Sequence, residues 1–106
     1  MFETIPQNIR ILNVTSGAGA ATLRTLVDTA LAAKSGAAAS LPRGKVIQIA
    51  LTPSAAITVS DAVTGDGAPV AINTRVIYPC VNGLDKLKLT GAATVSVEMY
   101  FDVGGL

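Results

Sequence analysis

The sequence lacks the residues on which most catalytic and metal sites are built. It contains no histidine and no tryptophan, and its one cysteine is Cys80. Without histidine, a Ser-His-Asp or Cys-His catalytic device cannot form within one chain. A zinc site fails for the same reason, because zinc ligands are mainly Cys and His. We therefore expect no catalytic residues, no metal site and no cofactor, and we predict that the protein is not an enzyme.

The single cysteine also bears on where the protein folds, because it cannot form an intramolecular disulfide. The first residues, Met-Phe-Glu-Thr-Ile-Pro, lack the positive and apolar regions of a secretory signal. The longest uncharged segment, residues 46–60, is too short and too polar to cross a bilayer. We expect folding in a reducing cytosol without a membrane partner, with Cys80 as a small buried hydrophobic side chain.

Charged and aromatic residues are scarce as well. Only 14% of the residues are charged, 4% are aromatic, and the formal net charge is +1. The closest basic neighbours are Arg43 with Lys45 and Lys86 with Lys88. Binding to a phosphate backbone depends on clustered Lys and Arg, and the stacking of bases depends on aromatic platforms. The sequence therefore predicts no nucleic-acid partner.

Apolar residues, many of them small, are what the sequence has in excess. Half of the 106 residues are hydrophobic, in a chain the size of one small domain. A chain this poor in charge is expected to bury surface against copies of itself or against a partner. Interfaces of obligate oligomers resemble a domain core cut in half. We therefore predict a homo-oligomer.

The first seven residues carry apolar side chains that follow no period. These side chains belong to Phe2, Ile5 and Pro6, and a terminus is normally mobile unless something ties it down. We predict an N-terminal arm over residues 1–7 and a single β-rich domain over residues 8–106. In this interpretation Phe2, Ile5 and Pro6 contact a neighbouring subunit or a partner. The alternative is that Phe2 and Ile5 cover the open end of the protein's own sandwich.

The hydrophobic pattern predicts one helix near the N-terminus. Residues 8–15 are rich in β-formers and predict a strand, which the Gly/Ala-rich residues 16–20 interrupt. Between residues 22 and 34 the apolar side chains recur at the spacing of one helix face. They are Leu23, Leu26, Val27, Ala30 and Leu31. At about three turns such a helix must pack its apolar face against the rest of the protein.

Beyond the helix the apolar residues alternate, as they do in half-buried strands. Strands are predicted at 45–51, 56–60, 70–72, 75–78, 84–89 and 94–102, with turns or loops at 52–54, 61–69 and 81–83. In the first of these strands Ile47, Ile49 and Leu51 share one face. Short strands separated by turn residues are typical of sandwiches and barrels. The predicted fold is mainly β, an antiparallel β-sandwich or barrel with one short α-helix near the N-terminus.

The last two strands are predicted to pair as a hairpin. A three-residue loop at residues 91–93 lets the apolar residues of both strands share one face of one sheet. The resulting pairs are Leu89 with Val95, Leu87 with Val97 and Lys86 with Glu98. The last pair is a favourable cross-strand contact of opposite charges on the outer face.

Two loops resemble ligand sites but have plainer interpretations. Residues 17–22, Gly-Ala-Gly-Ala-Ala-Thr, resemble the start of a dinucleotide-binding fingerprint. The third glycine is replaced by Thr22, and no acidic residue follows at the expected spacing of about 20 residues, so a flexible strand-to-helix connection is predicted. Asp61 and Asp66 share one loop but lack the spacing of an EF-hand calcium site. An exposed turn is predicted there.

Residues 84–100, LDKLKLTGAATVSVEMY, resemble the closing hairpin of many small tailed-bacteriophage virion proteins. Those proteins tend to end in a strand, a short Gly/Ala turn and a Thr-Val-x-Val-Glu strand. The order of one early helix, short strands, Asp/Gly-rich turns and this hairpin is similar to that of small capsid decoration (cement) proteins. The resemblance implies a β-sandwich or barrel without catalytic residues. It also implies assembly in the host cytoplasm, often as a trimer, on the major capsid protein at the outside of the virion.

Other classes of function stay open at the level of sequence. A module of a phage tail or fibre that binds carbohydrate on the host surface would need exposed aromatic side chains. Only Tyr78 and Tyr100 are candidates for that role, and this shortage favours the decoration protein. A third interpretation is a β-domain that binds a small ligand inside a barrel.

Overall fold

The computed structural model of the protein describes residues 7–42, 44–79 and 83–102. Strands account for 51% of the structure and form two antiparallel sheets with a single helix. The predicted mainly β fold with one short helix is confirmed. The predicted partner contacts Phe2, Ile5 and Pro6 lie outside the described residues, and so does Cys80.

Eight strands and one α-helix make up the regular structure of the described residues. In chain order they are β1 (Gln7–Ser16), β2 (Ala21–Thr22), α1 (Leu23–Ala32), β3 (Lys45–Pro53), β4 (Ile57–Asp61), β5 (Gly67–Val70), β6 (Val76–Pro79), β7 (Leu87–Thr90) and β8 (Ala93–Asp102). Short 3₁₀ turns occupy Gly36–Ala39 and Leu84–Lys86. Strand β1 begins at Gln7, one residue before the predicted boundary between arm and domain.

The strands divide into two sheets. The large sheet has the order β1-β8-β3-β6, and the small sheet has the order β2-β7-β4-β5. Three of the four strands in the large sheet are nine or ten residues long, whereas no strand of the small sheet exceeds five residues. The small sheet is thus too short to cover the large one, and α1 packs beside β1 to complete the cover.

Helix α1 forms because its sequence supplies both a cap and an apolar face. The side chain of Thr22 accepts a hydrogen bond from the backbone N–H of Thr25 at 3.2 Å, which satisfies one of the free donors of the first turn. Leu23, Leu26 and Val27 are buried against the sheets. The predicted helix is confirmed, although it begins one residue later and ends two residues earlier than expected.

The core lies between the two sheets and beneath α1. The large sheet contributes Leu12, Val14, Val46, Ile49, Leu51, Val95, Val97, Met99 and Phe101, each at most 8% exposed. The small sheet contributes Ile57, Val59, Val70 and Leu89, each at most 4% exposed. Strict alternation along β8 brings every second residue into this core.

Strand β3 departs from the predicted alternation. Its pairing with β8 shifts between Val46 and Gln48, so Ile47 is the extra residue of a β-bulge. A bulge reverses the side on which the preceding residues point, and Val46 is buried where Ile47 was expected. The expectation that Ile47 shares the buried face was wrong. The predicted turn at 52–54 was also wrong, because Pro53 still pairs with Val95 of the long strand β8.

Three other predicted boundaries shift. The loop predicted at 61–69 is shorter, because β5 begins at Gly67 and pairs with β4. The strand predicted at 70–72 is reduced to its first residue, since the chain turns at Asn73, which has a φ of 59°. The strand predicted at 84–89 opens with a 3₁₀ turn and becomes extended at Leu87.

The predicted hairpin between β7 and β8 was wrong. Strand β7 pairs with β2 and β4, while β8 pairs with β1 and β3, so the connection crosses from one sheet to the other. Leu89 and Val95 are both fully buried, but they enter the core from opposite sheets. Glu98 consequently has Arg75 as its partner instead of Lys86.

The crossing depends on Gly91, which has a φ of +119°. A Cβ at this position would lie 3.2 Å from the backbone oxygen of Ala56 and 3.3 Å from the Cα of Ile57. The backbone N–H of Gly91 donates to the oxygen of Gly17 at 2.8 Å, and its oxygen accepts from the Ser16 hydroxyl. Hydrogen bonds at both the N–H and the oxygen of Gly91 therefore fix the connection between the two sheets.

We expect Gly91→Ala to lower the free energy of unfolding by more than about 1 kcal/mol, because alanine strains this backbone conformation. The matched control is Gly17→Ala, since a Cβ at Gly17 meets nothing within 4 Å. Urea titration of both variants measures the difference. Equal effects of the two substitutions would contradict the role of Gly91.

We expect Leu26→Ala to lower the free energy of unfolding by about 2–5 kcal/mol, as truncation of a buried leucine does. Leu26 is 9% exposed and belongs to the core. Asp28→Ala is the control, because Asp28 lies on the exposed side of α1. A loss near zero for Leu26→Ala in urea titration would show that α1 does not stabilise the domain through this face.

Candidate assembly surface

The outer face of the large sheet carries apolar side chains that the core does not use. Side chains that pair across antiparallel strands point to the same side of a sheet, so the outward rows can be read from the register. One row is Ile9, Tyr100, Gln48 and Pro79, and the next is Ile11, Glu98, Ala50 and Ile77. We call the surface formed by these two rows the isoleucine face.

The three isoleucines of this face are strongly exposed. Ile9 is 56% exposed, Ile11 is 62% exposed and Ile77 is 49% exposed. Ile9 and Ile11 lie on β1 and Ile77 lies on β6, so the two margins of this face are apolar. The central strands present polar side chains together with the fully buried Ala50. Two further exposed apolar residues, Val63 and Ile72, stand singly in turns. Single exposed apolar residues are ordinary, whereas apolar side chains at both margins of one sheet face need an explanation.

A polar network holds the centre of the isoleucine face. The Arg75 guanidinium donates to both carboxylate oxygens of Glu98, each at 3.1 Å. The Tyr100 hydroxyl donates to Glu98 Oε1 at 3.1 Å, and Arg75 Nη2 lies 3.4 Å from the same hydroxyl. A bidentate pair fixes the planes of both groups. The network therefore pairs its own opposite charges, so the centre of the face is charged but carries no net charge.

The network also shifts the pKa values of its members. The hydrogen bonds from Arg75 lower the pKa of Glu98 below its ordinary value, partial burial opposes this, and the Tyr100 hydroxyl adds to the lowering. The hydrogen bonds to Glu98 raise the pKa of Arg75. Glu98 is therefore held ionised on the face.

The outer face of the small sheet has a different character. Its outward side chains are polar, short or absent: Thr22, Thr58, Ser60, Gly67, Pro69, Lys88 and Thr90. No isoleucine, leucine, valine or aromatic residue lies among them. The two outer faces of one sandwich thus differ, and only the larger one carries exposed isoleucines.

The sheet edges are protected against pairing with another chain. Arg10 donates to the backbone oxygens of Ala38 at 2.8 Å and of Ser40 at 3.3 Å, which ties the 3₁₀ segment beside β1, and α1 packs along the same strand. The opposite edges, β6 and β5, are four residues long and contain Pro79 and Pro69. Short strands, prolines and covering segments are devices that block edge pairing. The faces are therefore better suited to association than the edges.

The two loops singled out in the sequence serve the fold. Asp61 Oδ1 accepts from the backbone N–H groups of Val63 at 2.7 Å and of Thr64 at 3.3 Å, which is an Asx turn. The described residues contain no group of three His, Cys, Asp or Glu side chains that could hold a metal ion. Residues 17–20 connect β1 to β2, which pairs with β7.

No helix of the described chain is long and apolar enough to span a bilayer.

The two tyrosines considered as sugar-stacking candidates lie on opposite sides of the large sheet. Tyr78 pairs with Ile49 and packs against the core, and burial raises the pKa of its hydroxyl. Tyr100 lies on the isoleucine face with its hydroxyl held by Glu98. The structure does not bring the two rings together.

Sequence reasoning did not identify the isoleucine face. The signal for it is the run Ile9-Arg10-Ile11-Leu12, in which apolar residues occupy both sides of one strand. A strand with one solvated face alternates between apolar and polar residues. Apolar residues on both sides of β1 indicate a second surface to be covered.

Comparison of the chain with family models, with curated proteins and with solved structures finds no match.

We expect Glu98→Gln to lower the urea midpoint at neutral pH, because the variant loses the charge that Arg75 binds. The pKa of Glu98 is lowered in the folded state, so its contribution is complete above the ordinary value of 4.5 and is lost as the pH falls through the folded pKa. The difference in midpoint between wild type and variant therefore shrinks in acid. In an Arg75→Ala background the substitution should have a much smaller effect. A pH-independent difference would contradict the assignment.

Proposed function

We propose that the protein is a structural virion subunit, a capsid decoration protein that binds the outside of a phage head as a homo-oligomer. The observation that carries this proposal is the isoleucine face. It supports a protein that acts by binding to another protein surface, because its apolar margins stay exposed among the described residues.

Burial of the exposed isoleucines would make binding to this face favourable. Full burial of an isoleucine side chain is favourable by about 1.5–3 kcal/mol. Ile9, Ile11 and Ile77 are each about half exposed or more, so a partner that covers them gains part of that free energy three times. The self-neutralised centre of Arg75 and Glu98 requires no counter-charge from the partner. A protein surface of mixed polarity would suit such a face.

The proposed partner is the major capsid protein, and the proposed location is the capsid surface of the virion. The mainly β sandwich with one early helix agrees with what the resemblance to decoration proteins implies. The proposed oligomer is a trimer, in which each copy presents its isoleucine face to the shell. A trimer links three copies of a modest contact. Once one copy is bound, the other two bind at a high effective concentration, so the trimer binds more tightly than a single copy.

The competing function is a carbohydrate-binding or host-surface module of a phage tail or fibre. Recognition of a sugar by stacking needs accessible aromatic faces. Tyr78 is turned towards the core and Tyr100 is bound through its hydroxyl, so the described residues offer little for that purpose. The decoration protein is the better supported of the two.

Co-sedimentation with purified heads that lack this protein tests the proposal. We expect wild-type protein to sediment with the heads and Ile11→Lys to bind at least about tenfold more weakly, because a charge replaces an apolar contact of about 1.4 kcal/mol or more. Thr58→Lys adds the same charge to an exposed position on the small sheet and should bind as wild type does.

Two results would contradict this function. The first is equal binding by Ile11→Lys and Thr58→Lys, which would show that the isoleucine face is not the contact. The second is the absence of binding to heads together with binding to a host glycan that Tyr100→Ala abolishes. That outcome would establish the competing function instead.

A further inference from the structure

A cleft of about 320 Å³ opens between the two sheets at one end of the sandwich. The large sheet contributes Tyr78 on β6, and the small sheet contributes Asp61, Leu87 and Ala68. Strands β6 and β5 are edge strands of their sheets, so the cleft lies at the margin of the molecule. Its volume is at the lower limit of the range of about 300–1,000 Å³ for ligand sites. A single long side chain is therefore a more suitable occupant than a large ligand.

Apolar surface forms most of the wall of the cleft. Asp61 and Leu87 are partners across β4 and β7, so a carboxylate and an apolar side chain lie next to each other. Val59, which is buried, and Ala68 are partners across β4 and β5. Tyr78 packs against the core and also lines the cleft. An occupant therefore meets aliphatic and aromatic surface as well as charge.

The charged residues of the lining are both acidic. They are Asp61 and Asp66, and the backbone N–H of Asp61 donates to the oxygen of Asp66 at 2.7 Å, which places the two residues side by side. Asp61 Oδ1 accepts from two N–H groups of its own loop. Among the described residues no hydrogen bond or ion pair reaches Asp61 Oδ2 or the Asp66 carboxylate. A cleft with apolar walls and charge of one sign attracts the opposite charge.

The two lysines that flank Leu87 in the sequence do not neutralise the cleft. Lys88 is the partner of Ser60 and belongs to the outer face of the small sheet. Lys86 lies in the 3₁₀ turn before β7 and is not part of the lining. The ion pair found among the described residues is the one in the polar network of the isoleucine face. The two carboxylates of the cleft are therefore left for an external cation.

Arginine is the side chain that combines the properties the cleft requires. Its methylene stem can lie along an apolar wall while its head keeps polar partners. Its planar guanidinium binds carboxylates through paired hydrogen bonds and is attracted to aromatic rings. A metal ion fits less well, because the described residues place no third Asp, Glu, His or Cys with Asp61 and Asp66, and calcium takes about six to eight oxygen ligands.

The cleft lies beside one margin of the isoleucine face. Successive side chains of a strand point to opposite sides of its sheet. On β6, Ile77 and Pro79 lie on the isoleucine face, whereas Tyr78 between them lines the cleft. A protein surface that covers Ile77 is therefore separated from the cleft by the single strand β6.

We infer that the cleft receives an arginine side chain from the protein surface that covers Ile77, with the guanidinium bound to Asp61 and Asp66 and the methylenes along Tyr78 and Leu87. This inference rests on the proposed function, so the source of the arginine is the capsid shell. It adds a charged contact beside one margin to the apolar contacts of the isoleucine face.

NMR titration of the protein with small probes tests the cleft without any phage component. The probes are N-acetyl-arginine amide and N-acetyl-citrulline amide, which have nearly the same shape but differ in charge. We expect the arginine probe to shift the amide signals of Asp61, Asp66 and Tyr78, and the citrulline probe to bind at least about tenfold more weakly. N-acetyl-lysine amide should also bind more weakly than the arginine probe, because an ammonium lacks the planar pair of donors.

Asparagine substitutions remove the charge of the cleft and preserve its shape. Asp61→Asn retains an oxygen that can accept from Val63 and Thr64. We expect Asp66→Asn to weaken binding of the arginine probe, and Asp61→Asn combined with Asp66→Asn to abolish the preference for arginine over citrulline. Asp28→Asn is the control, because it removes the same charge from the exposed side of α1 and should bind the probe as wild type does. Urea titration checks that each variant is folded.

Co-sedimentation with heads that lack this protein tests the source of the arginine. We expect the variant with both Asp61→Asn and Asp66→Asn to bind heads at least about tenfold more weakly than wild type at low salt. The difference should shrink as salt is raised, because screening weakens the charged contact of the wild type. Ile77→Ala should weaken binding by a factor that changes little with salt, since its contact is apolar, and Asp28→Asn should bind as wild type does.

Four results would overturn the inference. They are equal binding of the arginine and citrulline probes, stronger binding of the lysine probe than of the arginine probe, probe binding that the double substitution leaves unchanged, and head binding that it leaves unchanged.

The two experiments separate the cleft from the proposed function. Loss of charge selectivity in the probe titration, with head binding that still depends on Ile11, would remove the arginine contact and leave the proposed function in place. Selective binding of the arginine probe by a protein that does not bind heads would overturn the proposed function, and with it the shell as the source of the arginine.

Discussion

Strand β8 builds the core and the outer surface at the same time, because its ten residues alternate between the two sides of the large sheet. Val95, Val97, Met99 and Phe101 point inward and are at most 2% exposed. On the other side Glu98 and Tyr100 form the centre of the isoleucine face. The long strands β1 and β3 flank β8, and their registers are set by it. A shift of one residue in β8 would exchange the buried and exposed side chains of that strand, so its contributions to the core and to the candidate surface depend on one register.

The sequence predicts those parts of the fold that depend on local periodicity. The helix face of Leu23, Leu26 and Val27 and the alternation along β8 are local patterns, and the structure contains both. Local periodicity does not predict which strand pairs with which, because alternation shows only which side of a strand is apolar. Residues 87–90 and 93–102 have apolar sides that fit a hairpin and fit two facing sheets equally well. The structure separates them into two sheets, and the positive φ of Gly91 makes the crossing.

The remaining errors arise from features that act over a single residue or over long separations. The bulge at Ile47 inserts one residue and inverts the pattern before it, which no average over a window can show. The partnership of Arg75 with Glu98 joins residues 23 positions apart, and it depends on both β6 and β8 lying next to β3. The isoleucine face was missed for the same reason, since Ile77 joins Ile11 only after four strands are placed side by side.

The distribution of charge on the isoleucine face limits the kind of partner that can cover it. Burial of an ion pair costs free energy unless the pair keeps its hydrogen bonds, and Arg75, Glu98 and Tyr100 supply these bonds to one another. A partner therefore gains most by covering Ile9, Ile11 and Ile77 at the margins. At the centre it gains little, and it loses little if water remains there. A broad surface that touches the two margins of the sheet meets this condition better than a narrow ligand that enters at the centre, which supports the proposed contact with a protein shell.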